Sequence, residues 1–293
     1  MRVSAASDLH LEVHDTNLPG GDVLLLAGDC FTAGPCREWR DDATNRSLRK
    51  RYARFAKEEL GKYGKVFYVL GNHDFYRDRF EDSAELLSDF LAEHAPHAKV
   101  LDNETVVHEG VAFTGCTLWA AYGHGTYAAV DIQRNMNDFA LIRTLKGLQS
   151  PGDGIYQPSR PDGRTITVQD VHEKFEENVK FLRDALTWTG KQDLPTIVIT
   201  HHAPSYLSRS RRSDHADNGM DEAYYSNQHA LIEQNPQLKV WVHGHTHDSC
   251  RYKIGECQVT SNQRGYFPSE RASRYFDPGG ADFDLGDFAQ IER

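Results

Sequence analysis

Val66-Phe67-Tyr68-Val69-Leu70-Gly71-Asn72-His73-Asp74 is an apolar run that stops at a glycine and then presents an amide, an imidazole and a carboxylate in succession. A short, uninterrupted apolar run bounded by a turn former reads as a buried strand. The polar residues then sit at the strand's carboxyl end, where open α/β sheets bind their ligands. Taken alone, Gly, Asn and Asp would equally make an ordinary turn, so the reading rests on what the other strand ends carry.

Comparable apolar runs recur at residues 2–7, 23–27, 111–114, 196–200 and 240–243. Between them, helical spacing predicts helices over 47–60, 83–94 and 168–188, where Phe175, Val179, Leu182 and Leu186 recur three to four apart. The alternation argues for an α/β fold, a sheet covered by helices. From Tyr122 the pattern loosens into Gly, Pro, Asn and Asp, including Ser150-Pro151-Gly152-Asp153-Gly154, which predicts a lid-like insertion at about 122–165. A second loop is expected at 208–218, and 269–293 reads as a loosely ordered tail after a single domain spanning 1–268.

Composition narrows the function classes. The 293 residues are 39% hydrophobic and 26% charged, as in ordinary globular proteins. A formal charge of −10 opposes loose binding to a polyanion. No apolar stretch reaches the roughly 20 residues a membrane span needs, and the first residues enter a strand pattern rather than a signal peptide. Cys30, Cys36, Cys116, Cys250 and Cys257 show no CxxC spacing, which fits reduced thiols. The expectation is a cytoplasmic protein.

Four further strand ends carry chemistry. Asp8-Leu9-His10 follows the first run, and residues i and i+2 of an extended segment point the same way. Gly28-Asp29 closes the second run, His201 follows the run ending at Thr200, and Gly244-His245-Thr246-His247 follows the last. Singly, these are commonplace as caps, loop pairs or a surface histidine pair. Jointly, Asp8, His10, Asp29, Asn72, His201, His245 and His247 would crowd one rim of a sheet, which without cations would be an improbable accident. Carboxylate and amide oxygen mixed with imidazole suits Mn²⁺, Fe, Zn²⁺ or Ni²⁺ better than Ca²⁺ or a structural thiolate zinc site. The donors are too many for one tetrahedral ion and fit two ions sharing a bridge, about 3.5–4 Å apart.

In this order, Asp8-x-His10, Gly28-Asp29, Gly71-Asn72-His73-Asp74, His201 and Gly244-His245-x-His247 resemble the calcineurin-like metallophosphoesterase family, over most of the chain. The resemblance implies a four-layer αββα sandwich of two mixed β-sheets flanked by helices. It implies that Asp8, His10, Asp29 and His247 hold one metal and that Asp29, Asn72, His201 and His245 hold the other. His201 is preferred over His202 because it directly follows the strand. The resemblance further implies two divalent ions, with Mn²⁺ the first to try in vitro, a bridging hydroxide as nucleophile and His73 as general acid. Asp74 would orient His73 or merely cap the following helix.

Gly115-Cys116-Thr117-Leu118-Trp119, Met136-Asn137-Asp138-Phe139, His201-His202-Ala203-Pro204-Ser205 and Asn262-Gln263-Arg264-Gly265-Tyr266 resemble a bacterial and phage-like branch, in which Gln263 departs from the usual proline. Arg264 would meet a substrate phosphate or pair with a surface acid; Tyr224, Tyr225 and Phe267 would stack a base or pack the core. The leading expectation is a phosphodiesterase acting on a small phosphoester or nucleotide-like substrate. A nuclease would need a basic channel, for which only Arg160, Arg164, Arg209, Arg211 and Arg212 lie near the expected rim. A non-catalytic metal-binding scaffold would be marked by missing ligands, and none is missing.

Overall fold

The computed structural model describes residues 1–37, 39–147, 163–209, 220–270, 275–280 and 283–284. Strands β1 (Arg2–Ala6), β2 (Gly21–Ala27), β3 (Tyr63–Val69) and β4 (Ala98–Val100) run parallel in one sheet. The second sheet takes β5 (Glu104–His108), β6 (Val111–Gly115), β9 (Thr196–Ile199), β10 (Leu238–Val242), β11 (Arg251–Ile254) and β12 (Cys257–Thr260) in the order β11-β12-β10-β9-β6-β5. Its central pairs are parallel and its two outer pairs, β5 with β6 and β11 with β12, are antiparallel. β13 (Phe283–Asp284) closes the first sheet antiparallel to β1.

Strand alternation explains the layering. In β2, Val23, Leu25 and Ala27 face the second sheet and meet Phe113, Ile197, Ile199, Val240 and Val242 there. Leu24 and Leu26 face the other way, with Val66 and Tyr68, onto Tyr52 and Phe55 of helix α1 (Ala43–Glu58) and Leu87 and Leu91 of α2 (Ser83–His94). On the far side, Val198, Trp241 and Val259 pack against Leu182 and Leu186 of α5 (Val168–Lys191) and Ile232 of α6 (His229–Glu233). Helix, sheet, sheet, helix is the expected αββα sandwich.

α2 and the start of α5 fall where predicted, and α1 begins ahead of the predicted residue 47. Asp42 accepts from Asn45 N ahead of α1, and Thr167 with Asp170 forms a capping box that starts α5. Among the strands absent from the sequence analysis, β4, β5, β11 and β13 are short or at sheet edges and largely unburied, so no apolar run announces them, and the mostly buried β12 is hidden by the polar Gln258 and Thr260 in its short span.

The segment expected to be a lid is, where described, part of the body. Residues 122–147 form α3 (Ala128–Asn135), α4 (Asp138–Leu141) and β7 (Arg143–Thr144), which pairs with β8 (Arg164–Thr165). Tyr122, Ile132, Phe139 and Ile142 enter the core over the first sheet. Arg77 N donates to Leu141 O at 2.7 Å and Arg143 N to Asp78 O at 2.8 Å, joining α4 to the loop after His73. Residues 148–162 and 210–218, with Arg160, Arg211 and Arg212, lie outside the described residues. Beyond 268, Asp277 exchanges hydrogen bonds with the Asn262 side chain.

Candidate metal centre

Five parallel strands of the two sheets end at one rim. β1 delivers Asp8 and His10, β2 delivers Asp29, β3 delivers Asn72 and His73, β9 delivers His201, and β10 delivers His245 and His247. The turns that bring them there are unusual: Asp8, His10, Asp29, His245 and His247 have φ of 54°, 46°, 53°, 73° and 50°. Such left-handed backbone in a non-glycine residue costs of order 1 kcal/mol and persists only where neighbours over-determine it. Asp8 N donates to Gly28 O at 3.0 Å, His10 N to Asp29 O at 2.9 Å, and His245 N to Asp8 Oδ1 at 3.0 Å, so each loop braces the next.

The side chains converge in two groups with one member in common. Asp8, His10, Asp29 and His247 offer ligand atoms within 4.8 Å of one another, and so do Asp29, His201 and His245. His10 Nε2 lies 3.1 Å from His247 Nε2, and His247 Nε2 lies 3.4 Å from Asp8 Oδ1. In the second group His201 Nε2 is 3.2 Å from His245 Nδ1, 3.0 Å from Asn72 Oδ1 and 3.4 Å from Asp29 Oδ2. Asp29 is the shared residue, as a bridging carboxylate would be.

Gly71 makes this approach possible by lacking a side chain. A Cβ there would lie 2.1 Å from Asp29 Oδ1 and 2.7 Å from His201 Cε1. Gly71→Ala is therefore expected to push Asp29 out of position, costing about 1–3 kcal/mol of stability as overpacking does and lowering the metal content of the purified protein. Wild-type metal content by elemental analysis would contradict this account.

The residues fit divalent cations. The outward nitrogen of each candidate imidazole is engaged: His10 Nδ1 with Glu12 at 3.0 Å, His201 Nδ1 with Ala27 O at 2.8 Å, His247 Nδ1 with Glu270 at 2.7 Å, and His245 Nε2 with Ala223 O at 3.3 Å. An acceptor on that side holds the proton there and leaves the inward lone pair for a metal. Burial opposes charging His201, yet Asp29 beside it raises it to about 9. Burial likewise opposes His247, but hydrogen bonds to Asp8 and Glu270 carry it to about 10. His245 is pushed well below the ordinary value by burial and by the charge of its histidine neighbours.

His73 lies outside both groups, its backbone N donating to Asp29 Oδ1 at 2.8 Å. Its ring stacks on Tyr76, stands 4.7 Å from the His10 ring, and has Tyr266 Oη 3.1 Å from Nε2 and Glu12 Oε1 3.6 Å from Nδ1. Burial disfavours the imidazolium, but Asp29 and Glu12 outweigh it and raise the His73 pKa. Glu12, despite burial, is held at about 2 by His10 and His73. With His10 and Glu12, His73 forms a third set of close ligand-type atoms. Glu12 escaped the sequence reading although it continues the alternation of Asp8 and His10 by one step.

Asp74 does not meet the His73 ring. Its carboxylate is fully buried and accepts from the backbone N of Gly71, Asp29 and Phe31 at 2.6, 2.9 and 2.8 Å, so it ties the β3 loop to the β2 loop. Arg264 is likewise spent on the backbone, donating to Leu9 O at 3.0 Å and Asp15 O at 2.9 Å. His202, beside His201, lies tilted with its ring 4.0 Å from that of His245 and bonds Tyr122 Oη. Gln263, which replaces the branch's proline, donates to Thr246 Oγ1 and Asp248 O at 2.8 and 3.0 Å and so braces the loop carrying His245 and His247. Tyr224 lies 4.9 Å from the His245 ring, Tyr225 packs on Tyr206, and Phe267 stays exposed.

Known proteins resemble this chain in sequence and in fold. A viral protein described as uncharacterised, from Acanthamoeba polyphaga mimivirus, is 24% identical over 214 residues, covering 70% of this chain and 69% of its own. A phosphopantetheinyl hydrolase from Mycobacterium tuberculosis shares the fold with a TM-score of 0.54 at 17% identity, covering 92% of this chain and 93% of its own. A dimetal phosphatase from Danio rerio aligns with a TM-score of 0.44 at 12% identity, covering 89% of this chain and 86% of its own. The family model for calcineurin-like phosphoesterases matches residues 1–249. With two metal-ligand groups sharing Asp29 at the strand ends of an αββα sandwich, the chain belongs to the calcineurin-like phosphoesterase family and is a metal-dependent phosphoester hydrolase.

Proposed function

We propose that the protein is a phosphodiesterase for small, nucleotide-like phosphodiesters. Asp8, His10, Asp29 and His247 hold one divalent ion, Asp29, Asn72, His201 and His245 the other, and His73 protonates the leaving group. The observation that carries this reading is the placement of His73 beside both groups with its ring in neither, backed by an acid and a hydroxyl. Two cations, Mn²⁺ in the first instance, supply Lewis acidity and an activated water as nucleophile. The chain's own residues do the rest. Glu12 beside Nδ1 favours a proton there and sustains the imidazolium, so Nε2, next to Tyr266 Oη, is the atom that gives its proton to the departing oxygen. Tyr266, stacked 4.3 Å over the His10 ring, walls that side, and Tyr224, 4.9 Å from the His245 ring, stands beside the second group.

A nuclease is disfavoured by the two candidate rim arginines that lie among the described residues. Arg164 is bound to both oxygens of Asp170 and Arg209 pairs with Asp221, so neither is free to follow a phosphate backbone. Five free cysteines, four of them buried, fit the reducing cytoplasm as the place of action; among the described residues no helix is long and apolar enough to cross a membrane.

The test is hydrolysis of bis-p-nitrophenyl phosphate against p-nitrophenyl phosphate by Mn²⁺-loaded protein. Preference for the diester is expected. A marked preference for the monoester would refute the diesterase assignment, and inactivity on both with two ions bound would refute the catalytic mechanism.

A further inference from the structure

Asp138 belongs to the Met136-Asn137-Asp138-Phe139 block, which the two metal groups leave without a task. It is fully buried at the start of α4 and makes no direct ion pair among the described residues. Its carboxylate accepts three hydrogen bonds, from Asn72 Nδ2 and Tyr76 Oη to Oδ1, both at 2.8 Å, and from Tyr122 Oη to Oδ2 at 2.7 Å. A buried carboxylate without a directly paired cation is costly even when hydrogen-bonded, and what these bonds hold is informative.

Asn72 can present either end of its amide to the metal site, and only the oxygen is a ligand. Both hydrogens of Nδ2 are accounted for on the side away from the site, one by Asp138 and one by Tyr76 Oη at 3.3 Å. This leaves Asn72 Oδ1 facing His201 Nε2 at 3.0 Å. The other oxygen of Asp138 reaches the second group by a different route. Tyr122 Oη, which donates to it, stands 3.1 Å from His202 Nε2, and the His202 ring lies 4.0 Å from that of His245. Asp138 is itself fixed by the backbone bonds joining 141–143 to 77–80.

We propose that Asp138 is a positioning residue for the second cation: it aims the Asn72 oxygen at the site and, through Tyr122, steadies the His202 ring against His245. The inference rests on the two-ion reading. It reaches beyond that reading in making α4, from the segment expected to be a lid, a support of the metal centre.

The experiment is Mn²⁺ titration of the full chain, counting bound ions by the loss of the free-ion electron paramagnetic resonance signal, for wild type, Asp138→Ala and Asp138→Asn. Alanine frees the Asn72 amide to turn, and the second ion is expected to weaken by about 10–100-fold, the usual effect of removing a ligand's supporting partner, while the first is unchanged. Asparagine can keep Oδ1 as acceptor for Asn72 and Tyr76 and donate to Tyr122, whose hydroxyl then donates to His202; it is expected to retain the second ion. Wild-type affinity at both ions in Asp138→Ala, or loss of the second ion in Asp138→Asn as deep as in Asp138→Ala, would overturn the positioning role. Should the alanine variant not fold, nuclear magnetic resonance of the metal-free wild type decides. The Asn72 side-chain amide, identified by its disappearance in Asn72→Ala, is expected to exchange slowly with solvent, and rapid exchange would overturn the proposal. Wild type binding fewer than two ions would overturn the two-ion reading first, and this inference with it.

Discussion

Asp29→Ala is expected to abolish metal-dependent hydrolysis, with a loss on the order of a thousandfold or more, because it removes the one side chain common to both ligand groups. Metal-ion charge stabilisation contributes several kcal/mol to such transition states, and each 1.36 kcal/mol is a factor of ten in rate. The variant should remain folded without metal. The Asp29 backbone N still donates to Asp74, His10 N still donates to Asp29 O, and one of two closely placed buried carboxylates is gone. The measurement is thermal unfolding with and without Mn²⁺ beside an ion count. Wild type should rise in Tm as the ions bind the native state selectively, and Asp29→Ala should lose most of that rise. Two bound ions in Asp29→Ala would show that the groups do not share this ligand.

His73→Ala is expected to keep both ions and lose about 10²–10⁴-fold in rate, the range for a general acid. The loss should fall on substrates with poor leaving groups, since a p-nitrophenolate departs with little protonation and an alkoxide does not. The pH profile separates this from a structural defect. A general acid works protonated, so wild-type rates should fall on the alkaline side as the imidazolium loses its proton, and His73→Ala should lack that limb. Equal losses on good and poor leaving groups would count against the acid role. Loss of an ion would instead assign His73 to the third ligand-type set with His10 and Glu12.

Much of the site was legible because a strand end is a local event. An apolar run of four to seven residues, then glycine, then a ligand-type residue is visible in one dimension, and it recurs after β2, β3 and β10. The alternation of Asp8 with His10 and of His245 with His247 is equally local. The supporting acids were not legible. Glu12 was one alternation further on, Glu270 stood in what read as tail, and Asp138 stood in what read as lid; each acts on a residue 23 or more positions away, at His73, His247 and Asn72. Asp74 shows the same limit from the other side. Next to His73 in sequence, it turns inward to three backbone N–H groups, because the turn carrying the ligands needs acceptors more than the histidine needs a neighbour.

By itself, then, the sequence determined a helix-covered sheet and which side chains converge at its rim, since hydrophobic periodicity and strand-end residues are properties of contiguous chain, and its motifs carried the resemblance that implied the family and the four layers. Only the tertiary structure decided that Glu12 and Tyr266 attend His73, that Asp74 turns to backbone N–H groups, that Arg264 is spent on the backbone and that Asp138 accepts from the Asn72 amide. Those outcomes depend on which hydrogen-bond donor meets which acceptor across loops distant in the chain, and burial favours the arrangements in which such groups find partners.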